Sequence, residues 1–186
     1  MYLDICTVKD NLRGIIDPTK RKVIVPPEYI SILYYEQGYV CENEQHKMDA
    51  YLKDGMQILS KANNLLFVND SLILVSNEKK ICLYNYVTRK NALNLLFDEI
   101  LIFPGKEEMA VSYTANTSSY GLFETHNTLS FHLENLICVR KDDYWGIIKL
   151  EDGTIKANFD FLDAAQFTKH RIALKDKNGD NFIFKC

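Results

Sequence analysis

The chain contains no stretch of the roughly 20 apolar residues that a membrane-spanning helix needs. Its opening residues, MYLDICTVKD, lack the positive segment and apolar run of a targeting peptide. A cytoplasmic protein without membrane contact is the expectation. The net charge is only −3, whereas nucleic-acid binding draws its energy from clustered Lys and Arg on phosphates, so nucleic acid is not an expected partner. Catalytic signatures are missing too. There is no Gly-rich phosphate loop, no Gly-x-Ser-x-Gly, no His-Glu-x-x-His and no Cys-x-x-Cys. The five cysteines are an odd number without paired spacing, which fits reduced thiols better than a disulfide framework. His46, His126, His132 and His170 are scattered, and none has a ligand's spacing. These absences lead to the expectation of no enzyme activity, no cofactor and no metal.

What is present is enough for one folded domain spanning residues 1–186. Hydrophobic residues make up 47% and charged residues 25% of the chain, which places it with globular proteins. Aromatics at 12%, with few long helical stripes, tilt the class toward β structure, where rings and branched side chains suit a pleated, half-buried surface.

The clearest local signal is Tyr144-Trp145-Gly146-Ile147-Ile148-Lys149-Leu150-Glu151-Asp152-Gly153-Thr154-Ile155, two strand-like runs about an Asp-Gly turn. The same order of strand, polar turn and strand occurs at Arg13-Gly14-Ile15-Ile16-Asp17 and Lys22-Val23-Ile24-Val25-Pro26-Pro27. Taking the Gly as an anchor column, Gly14 is followed by Ala50, Leu83, Gly121, Gly146 and Phe182, at a period of roughly 35 residues. A second column of apolar residues follows at Tyr29, Leu65, Phe97 and Phe159, with Phe131 in the shortened unit that begins at Gly121. A strand precedes each anchor, as in Ile5–Val8, Tyr39–Cys41, Leu72–Val75, Met109–Ser112, Leu136–Val139 and Arg171–Leu174. Residues 92–103 compete locally: Leu93, Leu96, Phe97 and Ile100 have helical spacing behind a possible Asn91 cap, whereas the column through Phe97 predicts extended structure.

These residues resemble the WG (KWG) repeat family, bacterial tandem β repeats whose pattern runs Trp/Tyr-Gly, Ile-Asp, a Gly turn, Val-Ile-Pro-Pro and Tyr-Asp. The best matches are Gly14-Ile15-Ile16-Asp17 with Val23 to Tyr29, and Tyr144 to Ile148 with Asp152-Gly153 and Phe159-Asp160. The resemblance implies an all-β scaffold and no particular reaction. A unit of this length cannot bury both faces alone, so about five units are expected to associate. The expected fold is a tandem antiparallel β-meander, propeller-like, with an open twisted β-solenoid or sheet as the alternative. In the propeller-like form, Ile5–Val8 would complete a sheet begun by Arg171–Cys186.

The function expected from these features is a non-catalytic protein-binding module, most concretely an immunity or inhibitor protein that neutralises a bacterial toxin effector. Its candidate contacts are the acidic turns Glu42, Glu44, Asp142 and Asp143, which occupy equivalent columns and would suit a basic toxin domain. Trp145 is expected to pack between repeats. The alternative is a small-ligand or glycan-binding β-propeller, although sugar readers repeat one aromatic in every unit and this chain has a single Trp.

Overall fold

The computed structural model describes residues 5–9, 11–104, 110–116, 131–168 and 170–185. All of its regular structure is β, and no helix among the described residues is long and apolar enough to cross a membrane. Strands follow one another as antiparallel meanders in five sheets. The first holds β1 (Ile5–Lys9), β2 (Leu12–Asp17) and β3 (Lys22–Tyr29). The second holds β4 (Ser31–Tyr34), β5 (Gly38–Glu42), β6 (Met48–Leu52) and β7 (Gln57–Ala62). The third holds β8 (Asn64–Phe67), β9 (Leu72–Asn77), β10 (Lys80–Asn85) and β11 (Lys90–Asn91). The fourth holds β12 (Glu99–Pro104), β13 (Val111–Thr114), β14 (Phe131–His132), β15 (Leu136–Lys141), β16 (Tyr144–Lys149) and β17 (Ile155–Phe161). The fifth holds β18 (Asp163–Thr168), β19 (Arg171–Lys175) and β20 (Asn181–Lys185). The result is a propeller-like row of meander sheets.

The sheets are joined by what they bury. One apolar cluster, including Ile15, Val25 and Tyr29 with Ile32, Tyr39 and Cys41, lies between the first two sheets. A larger one, through Val40, Leu65, Ile73, Leu83, Ile100 and Val139, runs from the second to the fourth. A third, with Trp145, Ile147 and Ala157 against Ile172 and Leu174, joins the fourth to the fifth. Trp145 therefore packs in the core, 7% exposed.

Ladder register realigns the repeat columns. Arg13, Met48, Ile81 and Trp145 face Tyr29, Ala62, Phe97 and Phe161 respectively. The residues one step further on, Gly14, Asp49, Cys82 and Gly146, therefore share a column, joined in the fifth sheet by Phe182. Ala50 and Leu83 sit one place beyond, with the buried Ile15 and Ile147. A one-residue slip exchanges the faces of a strand, so apolar matching had drawn Ala50 and Leu83 into the wrong column. Bulges explain the offset of Leu65 and Phe159. Between Arg13↔Tyr29 and Ile15↔Val25, and again between Trp145↔Phe161 and Ile147↔Ala157, the outer strand carries extra residues.

Those bulges make glycine necessary at two places. A Cβ on Gly14 would lie 2.7 Å from the nitrogen of Pro27 and the carbonyl oxygen of Val25, and one on Gly146 would lie 2.9 Å from Phe159. In the second sheet the bulge is shorter (Met48↔Ala62, Ala50↔Leu59), and Asp49 fits where a glycine stood. In the third the outer strand parts from β10 after Tyr84↔Asn91 and returns at the single bridge Ile81↔Phe97, which leaves room for Cys82. Residues 92–98 are irregular, and extended structure resumes at Glu99, so the helical reading of residues 92–103 does not hold.

Two further expectations change. β1 pairs with β2, and among the described residues no ladder joins it to β20; Ile5–Val8 does not complete the last sheet. The shortened unit forms no sheet of its own among the described residues: the strand predicted at Met109–Ser112 is present from Val111 as β13, Met109 lies outside the described residues, and β13 and β14 both pair with β12. Gly121 lies outside the described residues, as does His126.

Candidate functional site

Each sheet hands the chain to the next through one crossing residue whose amide donates to a strand of the following sheet (β5, β9, β15 and β19): Ile30 to Glu42, Asn63 to Ser76, Asp98 to Arg140 and Leu162 to Lys175, at 2.8–3.1 Å. Beside each crossing stands the residue that opens, or for Lys47 immediately precedes, β2, β6, β10 or β16: in turn Leu12, Lys47, Lys80 and Tyr144. The identities pair off. At the second and third seams Lys47 Nζ donates to Asn63 Oδ1, and Lys80 Nζ lies 2.8 Å from Asp98 Oδ1. At the first and fourth seams the corresponding pairs, Leu12 with Ile30 and Tyr144 with Leu162, have no charge.

Cavities open at the first and fourth seams. At the first, a cavity of about 350 Å³ is lined by Leu12, Glu28, Tyr29, Asn43, Glu44, Gln45 and Asp49. Its inner wall is a hydrogen-bond network. Asp49 Oδ2 accepts from the Tyr29 hydroxyl at 2.7 Å and from Gln57 Nε2 at 3.1 Å, Asp49 Oδ1 accepts the Lys61 amide at 2.9 Å, and the Tyr29 and Tyr51 hydroxyls lie 2.7 Å apart. Burial first, then hydrogen bonds from Tyr51 and Asp49, push the Tyr29 phenol far up; burial also raises Tyr51 and, with Asp49 nearby, the Cys41 thiol. All three hold their protons at neutral pH. None is poised as a base or nucleophile.

At the fourth seam the equivalent cavity, about 530 Å³, is walled by Tyr144, Phe159, Asp160, Phe161, Leu162, Asp176, Lys177 and Phe182. Phe161 makes edge contacts with Phe182 and Phe184, at centroid distances of 5.6 and 6.2 Å. Tyr144, Leu162, Phe182 and Ile183 are exposed by 43, 54, 45 and 66%. Phe182 stands in the glycine column, and β20 is the edge of its sheet among the described residues, so no bulge covers the ring.

The predicted acidic turns occupy the equivalent β5–β6 and β15–β16 connections, but they belong to different seams. Glu42 is half-buried and bonded to His46 Nδ1 at 2.7 Å. Glu44 is exposed on the wall of the first cavity. Asp142 is tied into the third seam: its carboxylate is 3.2 Å from Lys80 Nζ, and its amide donates to Asp98 Oδ2 at 2.9 Å. Burial would raise Asp98, but hydrogen bonds from Lys80 and the Asp142 amide outweigh it and hold the carboxyl below its ordinary range. Asp143 is 95% exposed and lies 4.0 Å from Arg140 Nη1. Both turn aspartates have positive φ, 50° and 72°, as a two-residue hairpin turn requires. The aromatic cavity beside Asp143 was not predicted, because Tyr144, Leu162 and Phe182 converge only through the ladder register. His132 stacks on Phe103, and no group of three or more His, Cys, Asp or Glu among the described residues could hold a metal ion.

No family model and no curated protein matches the chain. Among solved structures, it is similar to the computationally designed Ika4 protein, at 10% identity and a TM-score of 0.40 over 83% of this chain and 88% of that one. It is also similar to KlHsv2 with loop 6CD replaced by a Gly-Ser linker, at 10% identity and a TM-score of 0.32 over 97% and 73% of the two chains. BamB from Moraxella catarrhalis matches at 8% identity and a TM-score of 0.24 over 98% and 84%. Scores this low carry nothing about ligand, partner or activity.

Proposed function

We propose that the chain is a non-catalytic, cytoplasmic protein-binding module of the WG-repeat kind, and that it holds a basic partner at the open fourth seam. The observation that carries this reading is the apolar floor of exposed Tyr144, Leu162 and Phe182 with half-buried Phe161, rimmed by Asp160, Asp176 and Lys177, with Asp143 next to Tyr144 in the chain. An apolar anchor ringed by charge is the usual anatomy of an energetic protein contact, and a Lys or Arg laid over Tyr144 or Phe182 would gain from both ring face and rim. Glu44 at the first seam adds to the acidic face. At the first seam, the raised Tyr29, Tyr51 and Cys41 support a binding role over a catalytic one. An immunity or inhibitor protein that occludes a cationic toxin domain fits this chemistry most concretely.

The test is co-purification of tagged protein through a high-salt wash, followed by affinity measurement with the retained partner. We expect one stoichiometric basic protein, its affinity lowered at least tenfold by Phe182→Asp and several-fold by Asp143→Lys, and its toxicity suppressed only by the wild-type chain. A partner that binds Phe182→Asp as tightly as wild type would remove the fourth seam from the reading.

A further inference from the structure

The first seam has a second cavity at the opposite end of β6, and its chemistry is reversed. The β2–β3 and β6–β7 turns meet there around a space of about 330 Å³ lined by Asp17, Lys20, Lys22, Ile24, Tyr39, Lys53 and Asp54. Three lysines thus line one space, with two aspartates, in a chain whose net charge is −3. The two carboxylates among them are tied into their own turns, and Asp17 Oδ2 lies 3.7 Å from Lys20 Nζ, a pair that an incoming dianion would share. Asp17, only 8% exposed, accepts the amides of Thr19 and Lys20 at 2.9 and 3.0 Å, and Asp54 Oδ1 accepts the Met56 amide at 2.9 Å. The floor is apolar: Ile24 and Tyr39 are 7 and 3% exposed.

The turns are also locked to each other. Lys22 Nζ donates to the Asp54 carbonyl at 2.5 Å across the seam. Gly55, at φ +91°, packs so close that a Cβ would stand 3.1 Å from the Ile24 carbonyl oxygen. A ligand would therefore meet a formed site and lose little to ordering it. The volume lies within the range of small-molecule sites, and lysines serve oxyanions as movable point charges.

We propose that this cleft binds a small phosphate monoester, its phosphate held by Lys20, Lys22 and Lys53 and its apolar body seated on Ile24 and Tyr39. The site is separate from the partner groove of the fourth seam. Phenyl phosphate is a suitable probe, titrated into the full-length protein at constant ionic strength and followed by amide chemical shifts, with phenol as the uncharged comparator. Saturable shifts confined to residues 20–24 and 53–55 are expected, with affinity at least tenfold weaker in both Lys53→Glu and Lys20→Glu. Both substitutions are at exposed turn positions, and unchanged amide spectra elsewhere would confirm that the variants are folded. Linear, non-saturating shifts, an unchanged affinity in the variants, or phenol binding as well as its phosphate would overturn the proposal.

Discussion

The first and fourth sheets differ from the second and third in three linked ways. The former carry a glycine, on β2 and β16, a bulge with extra residues opposite it, and an uncharged pair at the seam that follows. The latter carry Asp49 or Cys82, a shorter or interrupted outer strand, and a lysine that crosses the seam to Asn63 or Asp98. One repeat has thus been worked into two kinds of joint. Polar latches close the middle of the row, and apolar joints at either side leave a cavity. Divergence between copies thus separates latched seams from seams that border a cavity.

The largest effect should come from filling the close approach in the bulged sheets. Gly14→Ala places a methyl group against the backbone of Val25 and Pro27, which cannot swing aside as a side chain would, and a loss of about 3 kcal/mol is expected in urea unfolding. The same methyl at Cys82, by Cys82→Ala, should cost well under half as much; equal losses would erase the distinction between the two kinds of sheet. Next comes Asp49→Ala, which leaves the Tyr29 hydroxyl and the Lys61 amide without their acceptor and should cost about 1–3 kcal/mol. Asp49→Asn, which keeps one acceptor oxygen, should recover part of that.

Breaking a middle latch is a smaller change. Asp98→Asn should lower Tm by roughly 2–4 °C at neutral pH, since exposed ion pairs contribute little. Its pH dependence has a definite sign. The Asp98 pKa is held down in the folded state, so its contribution is present above the unfolded carboxylate range and lost as pH falls through the folded value. Wild type and Asp98→Asn should therefore converge in acid, and a constant difference down to that range would mean that the charge is not what the latch uses. The smallest effect on stability should come from converting an open seam to the middle kind. Tyr144→Lys with Leu162→Asp installs the latch pair and should leave the unfolding midpoint nearly unchanged while reducing partner affinity at least tenfold.

Part of this was legible in the sequence. Asp152-Gly153 marks its hairpin, with Gly153 at φ +73°, and the glycines at 14 and 146 identify the bulged copies. Alternation of apolar residues was enough to recognise strands, but it could not fix their register once bulges of different length had absorbed residues. That is why Ala50 stood in for Asp49 and Leu65 for Ala62. The acidic turns were visible as equivalent positions. What separated Asp142 from Asp143 was not, because the first is committed to Lys80, 62 residues away in the chain, and the second is 95% exposed. The aromatic cavity and the lysine cleft escaped for the same reason: each is assembled from turns of neighbouring sheets whose spacing along the chain has no motif.

The division of the core into three clusters has a consequence for how the chain reaches this state. Within the five sheets nearly every ladder joins consecutive strands, and only β12 with β15 and with β14 spans an insertion. Hairpins can close with little loop entropy and then dock on their neighbours, so a low-contact-order route outward from the large central cluster is open to the chain. The end sheets, each held by a cluster of its own, are then expected to be the first to exchange their amide hydrogens, and the cavities of the first and fourth seams lie against them.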